Sequence, residues 1–268
     1  PHIPMFLLRL AALSGDEDAE RMALHTLDRM ALGGMFDHLG GGFCRYSTDA
    51  RWLVPHFEKM LYDNALLAIA YTEAFLLTRE ARYRTVAERT LDWALREMRH
   101  AEGGFFSAQD ADSGGREGAY YVFREDEVPA PLREPLGVTR EGNFEGLNLP
   151  NRLAQAAPLP DELMGQVRAL YEYRRGRMAL GRDDKILTAW NALMIVALAT
   201  AASALSRPDY LDAARAAMAF IRAQLTGPDG ELRVRWAGGE AAGEGTLDDY
   251  AFLCWAHIAL GDATHRNA

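Results

Sequence analysis

Cysteine is almost missing from this chain: Cys44 and Cys254 are the two in 268 residues. They are distant in sequence and form no Cys-x-x-Cys pair, which excludes a disulfide framework and a zinc ribbon and fits a reducing cytoplasm. No His-Glu-x-x-His or comparable ligand spacing occurs, so no metal is expected. A Gly-x-Ser-x-Gly elbow is also absent. The glycines at 40–42 are not followed by Lys-Ser or Lys-Thr, so they make no phosphate loop, and no cofactor is expected. Positive charge is in deficit, 29 Lys and Arg against 38 Asp and Glu, a net charge of -9 that repels polyanions and argues against nucleic acid as a partner. The apolar runs at 66–77 and 186–205 are interrupted by Tyr71, Thr72, Glu73, Trp190 and Asn191, so they read as buried helices and not as membrane spans. No signal-peptide pattern follows Pro1, and the expectation is a processed product or a fragment.

What is present is the material of a globular core: 49% hydrophobic and 25% charged residues. One domain is expected, because repetitive helical architectures reach this length around a continuous core. Residues 16–32 open on acidic side chains, place Met22, Leu27 and Met30 further on, and stop at Gly33 and Gly34, so they read as a helix. Residues 33–54 read as an ordered loop. A helix is expected from Pro55, since proline is tolerated in a first turn, and residues 57–77 are apolar on nearly every side. Residues 82–98 carry Tyr83, Ala87, Leu91, Ala94 and Met98 at helical spacing with charges between, the pattern of a half-exposed helix.

The same pair recurs downstream, at 188–205 and 209–225. An offset of about 127 residues aligns Asn64 with Asn191, Tyr83 with Tyr210 and Gly103 with Gly230, an internal repeat. Alternating buried and half-exposed helices describe an all-α fold, an α/α toroid. Small β-hairpins at its rim are expected within 103–123 and 230–236. The proline-rich stretch 125–160 gives no clear element.

Chemistry concentrates in Phe36-Asp37-His38-Leu39-Gly40-Gly41-Gly42-Phe43-Cys44-Arg45-Tyr46-Ser47 and in Trp52-Leu53-Val54-Pro55-His56-Phe57-Glu58-Lys59-Met60-Leu61-Tyr62-Asp63-Asn64. Titratable, ionic and stacking groups beside glycines suit a small polyhydroxylated ligand, although a well-packed loop uses the same residues. His56 is expected at a helix start, where the partial positive charge of the helix end suits the neutral ring that serves as a base. His38 is a second candidate for proton transfer on the opposite face of a substrate carbon. Glu58 and Asp63 supply carboxylates near the same helix end. Further acidic clusters stand at element boundaries: Gln109-Asp110-Ala111-Asp112, Arg182-Asp183-Asp184-Lys185 and Leu247-Asp248-Asp249-Tyr250. Each alone reads as a helix cap; together they could face one another across the mouth of a toroid.

At these residues the sequence resembles the spermatogenesis-associated protein 20 family of thioredoxin-domain-containing proteins. The carrying motifs are Asp37 to Phe43 with Arg45-Tyr46-Ser47, Trp52 through Asp63, Asp110-Ala111-Asp112-Ser113, Gly142-Asn143-Phe144-Glu145-Gly146, Asp183-Asp184-Lys185 with Thr188-Ala189-Trp190-Asn191, and Asp248-Asp249-Tyr250-Ala251. The resemblance implies a thioredoxin-like domain before Pro1 and, in this chain, an incomplete α/α toroid similar to N-acylglucosamine 2-epimerases and six-hairpin glycosidases. The toroid is expected to end early, after Leu260, leaving an apolar groove or a loose helix near the C-terminus.

The leading functional reading is a carbohydrate-active enzyme. It is either an epimerase or isomerase with His56 and His38 moving protons, or a hydrolase with paired carboxylates such as Asp110 and Asp249. The alternative is a non-catalytic ligand-binding or partner module for a thioredoxin-like domain. On either reading His38, Arg45, Tyr46, Trp52, His56, Asp110, Asp112, Asp184, Trp190, Asp248 and Asp249 should border one cavity, with Trp52 and Trp190 flanking the ligand. Glu58, Asp63, Lys185, Asn191 and Tyr250 complete the expected ligand-binding set.

Overall fold

A computed structural model describes residues 1–266. From the N-terminus run α1 (His2–Ser14), α2 (Glu17–Leu32), the short strands β1 (Tyr46–Ser47), β2 (Pro55–His56) and β3 (Lys59–Met60), then α3 (Leu61–Thr78) and α4 (Ala81–Trp93). Next come β4 (Ala108–Gln109), the hairpin β5 (Asp112–Ser113) and β6 (Arg116–Glu117), the short α5 (Ala130–Arg133) and α6 (Met164–Arg177). After these follow β7 (Arg182–Asp183), β8 (Ile186–Leu187), α7 (Thr188–Leu205), α8 (Pro208–Gln224), β9 (Arg233–Ala237), β10 (Glu240–Glu244) and α9 (Leu247–Arg266). Contacts group the chain into two compact units, residues 1–23, 60–108 and 182 onward in one, and residues 24–59 and 109–181 in the other.

The first unit is helical. α7 packs against α3, α8 and α9, and α3 against α1 and α4. α3 and α7 are apolar all round and buried along most of their length. Among the described residues α7 is the one helix long and apolar enough to cross a membrane, and 72% of it is buried within the fold, as a core helix is.

The repeat is present in detail. α3 and α7 have 18 residues each, start from extended residues (Met60, Leu187) and end on left-handed ones, Arg79 and Ser206, whose N–H groups return to Phe75 O and Ala202 O. Each helix carries its asparagine in the first turn, where Asn64 Nδ2 donates to Met60 O and Asn191 Nδ2 to Leu187 O, both at 2.9 Å. Tyr83 and Tyr210 are both buried. The turn after each outer helix closes alike, with bridges Arg99 to Phe105 and Thr226 to Leu232 around positive-φ glycines at 103 and 230. Asn191 adds a tie between repeats: its side chain accepts Phe105 N–H at 2.7 Å and donates to Phe105 O at 2.9 Å.

A groove of about 480 Å³ lies near the C-terminus, between the second halves of α3, α7 and α9. Leu76, Ala199, Trp255 and Ile258 line it, together with the polar Arg79, Ser203 and Asp262, so the expected groove is only partly apolar.

The second unit is loop-rich and holds two apolar clusters. One gathers Leu39, Phe123, Val128, Leu132, Leu136, Val167 and Leu170 under α5 and α6. The other joins Cys44, Phe57, Tyr120, Tyr121, Val122 and Leu149. Residues 33–54 form the ordered loop that their composition predicts. Gly34 N–H donates to Trp52 O and Cys44 N–H to Met35 O. A Cβ on Gly33 would stand 2.0 Å from the Trp52 carbonyl oxygen, so only glycine allows that approach.

Four sequence readings change. The helix expected from Pro55 begins at Leu61. Pro55 and His56 pair instead as a strand with Ser47 and Tyr46, and the chain stays extended until Met60. The helix through Met98 is regular to Trp93 and finishes as a wider π turn over Ala94–Met98. α1 and α6 were not anticipated: α1 opens without a side-chain cap, and α6 follows a proline-rich stretch and carries Gly165 and Gly176.

Candidate active site on the β1–β2 and β5–β6 hairpins

Burial alternates strictly along residues 52–60, and this alternation organises the second unit's polar face. Phe57 and Lys59 point inward while His56 and Glu58 stay partly exposed. Phe57 is held by stacking on Tyr121, with ring centroids 5.5 Å apart and 19° between planes. Lys59 is 1% exposed, and its Nζ donates to Asp37 Oδ2 at 2.9 Å and to Gly41 O at 2.7 Å. A one-residue slip would bury His56 and expose Lys59, so these inward anchors fix the outward pair.

His56 lies opposite Tyr46 in the register, and the two rings stack at 5.2 Å and 27°. Its Nδ1 is 2.7 Å from Glu117 Oε1, and the same oxygen accepts the Phe57 N–H at 3.3 Å. Its Nε2 faces Glu58 Oε2 at 3.5 Å, and that oxygen also receives Arg45 Nη1 at 3.2 Å. Because His56 sits on a strand, the helix-end reason for its ring state does not apply; the two carboxylates around it set its surroundings instead.

Glu117 arrives through the β5–β6 hairpin, where Asp112 pairs with Glu117 and Ser113 with Arg116. Gly114 and Gly115 take φ of 60° and 79°, the left-handed values a two-residue hairpin turn demands. Gly118 keeps the hairpin against the strand, since a Cβ there would stand 2.5 Å from the Phe57 ring. Asp112 and Asp110 are exposed on the same unit, and Asp110 N–H donates to Gly181 O at 2.9 Å.

Other expected site residues in this unit serve the loop. His38 is 3% exposed, and its Nε2 meets Gly33 O at 2.9 Å. Trp52 adopts φ 65° above Asp49, whose carboxylate accepts the N–H groups of Arg51, Leu53 and Val54. Burial opposes ionisation of Asp49, but those backbone bonds win and hold its carboxyl below the ordinary range.

The remaining expected residues lie in the first unit. Trp190 packs on Tyr62, with centroids 4.8 Å apart. Asp63 is buried in the first turn of α3. Asp184 engages Arg182 Nε at 2.6 Å, and Lys185 pairs with Asp183 at 2.7 Å. Asp249 is 2% exposed, with Oδ1 on Ala189 N–H at 2.9 Å and Oδ2 on the N–H and hydroxyl of Thr246 at 2.8 and 2.9 Å. Tyr250 Oη accepts Leu232 N–H at 3.1 Å, and Asp248 is exposed.

Two features escaped the sequence reading. Glu117 is 61 residues from His56, and its only signal was the Ser-Gly-Gly-Arg turn that sets Asp112 across from it. The other is a buried ion cluster. Arg174 Nη1 and Nη2 grip both oxygens of Asp37 at 2.9 and 2.7 Å, and Lys59 joins from strand β3. Burial would raise the Asp37 pKa, but the Arg174 and Lys59 charges outweigh it and hold the carboxyl well below the usual range. Cys44, buried alongside, has its thiol pushed up to about 12 by burial, so it stays protonated and unreactive.

Comparison with known proteins places this architecture. No protein-family model matches the chain. Human Spermatogenesis-associated protein 20 is 34% identical over 93% of the chain, and the mouse protein equally so. The chain resembles the spermatogenesis-associated protein 20 family. It spans 38% of the length of these mammalian relatives, and it covers 42% of Uncharacterized protein B0495.5 of Caenorhabditis elegans at 30% identity. Among solved structures, a glycoside hydrolase family 76 mannosidase, Bt3792 of Bacteroides thetaiotaomicron, matches 98% of the chain and 53% of its own with TM-score 0.58 at 11% identity. A UGL variant with dGlcA-Glc-Rha-Glc matches 99% of the chain and 60% of its own with TM-score 0.50 at 13% identity. These likenesses show the fold alone, an all-α, incomplete α/α toroid with small antiparallel sheets.

Proposed function

We propose that the chain binds a small sugar-like ligand at the His56 face and moves a proton on it, in the manner of an isomerase or epimerase. The observation that carries this reading is the 2.7 Å contact between His56 Nδ1 and Glu117 Oε1 on a partly exposed strand. Glu117 accepts the Nδ1 hydrogen, which leaves Nε2 as the basic nitrogen, and Tyr46 supports the ring from one side. Arg45 and Glu58 beside Nε2 offer a donor and an acceptor for ligand hydroxyls.

In a one-base isomerisation Nε2 takes the proton from the carbon bearing the hydroxyl and returns it to the neighbouring carbonyl carbon, while the hydroxyl proton passes to the former carbonyl oxygen, a transfer that the Glu58 carboxylate beside Nε2 can relay. Two-base epimerisation needs a second group on the opposite face, and His38 would have to leave its buried bond to Gly33 to supply it. The hydrolase reading is less favoured, since backbone and hydroxyl donors already occupy both oxygens of Asp249. The mannosidase among the structural neighbours supports a carbohydrate as the ligand class, and the family resemblance supports a thioredoxin-like domain as the chain's partner.

The test is proton NMR in deuterated buffer with aldoses, ketoses and N-acylated hexosamines. Deuterium should appear at the carbon next to the carbonyl, and His56→Asn and Glu117→Gln should slow it by about 10²–10⁴-fold. Shifts of the His56 ring signals without turnover would favour the non-catalytic binding module. Neither turnover nor shifts would remove the reading.

A further inference from the structure

Phe144 and Glu145, neighbours in the loop 142–147 of the second unit, reach the two residues that adjoin the central contact of the His56 face. The Phe144 ring packs on Phe57, the residue after His56, with centroids 5.7 Å apart. Glu145 Oε2 accepts a hydrogen bond from Nη2 of Arg116, the residue before Glu117, at 2.8 Å. Each member of the 2.7 Å pair His56 Nδ1 and Glu117 Oε1 is thus flanked, on its own strand, by one of two adjacent side chains of a single loop. Glu117 Oε1 also accepts the Phe57 N–H at 3.3 Å, so strand β2 and the β5–β6 hairpin meet where the loop holds them.

The loop is firmly tied at its base. The N–H groups of Asn143 and Phe144 both donate to Leu147 O, at 2.8 and 2.9 Å. The Asn143 side chain accepts Leu149 N–H and donates to Gly137 O and Leu149 O. Glu145 and Gly146 close the two-residue turn between Phe144 and Leu147, with φ of 49° and 75°. Such a turn favours glycine, asparagine or aspartate, and a glutamate there carries a steric cost that glycine would not. The ion pair does little to offset it, since the Glu145 and Arg116 side chains are 63% and 47% exposed. What the Glu145 carboxylate contributes is placement of Arg116, and with it of the hairpin that carries Glu117.

We propose that Glu145 is a positioning residue: through Arg116, and with Phe144 on Phe57, it keeps Glu117 on His56 Nδ1 and so leaves Nε2 as the basic nitrogen. Its consequence for turnover rests on the proton-transfer reading above; its effect on the His56 ring is read without any substrate. Long-range proton–nitrogen NMR of the neutral ring should show the Nδ1–H tautomer in the parent. Glu145→Gly removes the carboxylate and relieves the turn, so it should unfold within about 2 °C of the parent. Its His56 ring should nevertheless divide between the two tautomers, and deuterium exchange into sugar should slow by about 10-fold. Exchanging the charges, Arg116→Glu with Glu145→Arg, should restore the single tautomer. An unchanged tautomer in Glu145→Gly would overturn the proposal, as would a change that comes only with a larger fall in unfolding temperature, or a charge exchange that restores nothing. A parent that turns over no sugar but whose ring responds as expected would remove the reaction and keep the positioning role; a parent ring protonated on Nε2 instead would remove both.

Discussion

Asp249 shows how one side chain can carry two meanings at the scale of a residue. An aspartate at a helix start beside a second aspartate reads as half of a catalytic pair or as a cap, and the same letters serve both. In the fold it accepts from Ala189 N–H and from both donors of Thr246, so it ties the starts of α7 and α9 together. Asp249→Ala should therefore lower stability by about 2–4 kcal/mol, read as a shift in urea midpoint at unchanged slope. A variant of parental stability that had lost sugar turnover would assign Asp249 to catalysis instead. His56 is the converse case: its residue type announced chemistry, but its partner did not, because a contact across 61 residues is made by the fold.

At the scale of elements, the repeat makes a sharper contrast available. Gly103 and Gly230 occupy the same turn, with φ of 106° and 83°. A Cβ at 103 would stand 2.8 Å from the Ala216 carbonyl oxygen, whereas at 230 nothing lies within 4 Å. Gly230→Ala should cost about 1–2 kcal/mol of backbone strain alone, and Gly103→Ala clearly more, since backbone must shift. Equal losses in thermal melts would mean that the two turns are not held as described. The repeat was legible because helical period, capping asparagine and turn glycine recur together in Asn64, Tyr83 and Gly103 and in their counterparts. The start at Pro55 was misread because first-turn tolerance of proline is a local rule. Pairing with Tyr46 and Ser47, and the inward anchor of Lys59, override it. Arg174 was invisible for a related reason, since a basic residue in the last turn of an amphipathic helix normally faces water.

For the whole molecule the arrangement of carboxylates sets a pH limit. Asp37, Asp49, Glu127, Asp183 and Asp209 all have pKa values below the ordinary 3.8 for Asp or 4.5 for Glu. A depressed folded pKa gives stability that is complete above the unfolded value and is lost as pH falls through the folded one, because the unfolded chain then binds more protons. His257, lowered from 6.5 by burial and by Arg222, adds a shallower loss of the same sign that begins near its ordinary value. Acidification toward the pI of about 5.3 relieves self-repulsion from the net charge of -9 and opposes that early loss. Stability should accordingly change little between pH 7 and 5 and fall steeply below about 4.5, where all five carboxylates titrate. Asp37→Asn should cost about 3–5 kcal/mol at pH 7 by leaving Arg174 and Lys59 facing each other without their carboxylate. Its acid limb should also be shallower than the parent's, because the carboxylate held well below its ordinary pKa by folding is gone. Urea unfolding at pH 7, 5, 4 and 3 measures both. Parallel acid limbs for parent and variant would show that Asp37 does not govern the acid limit.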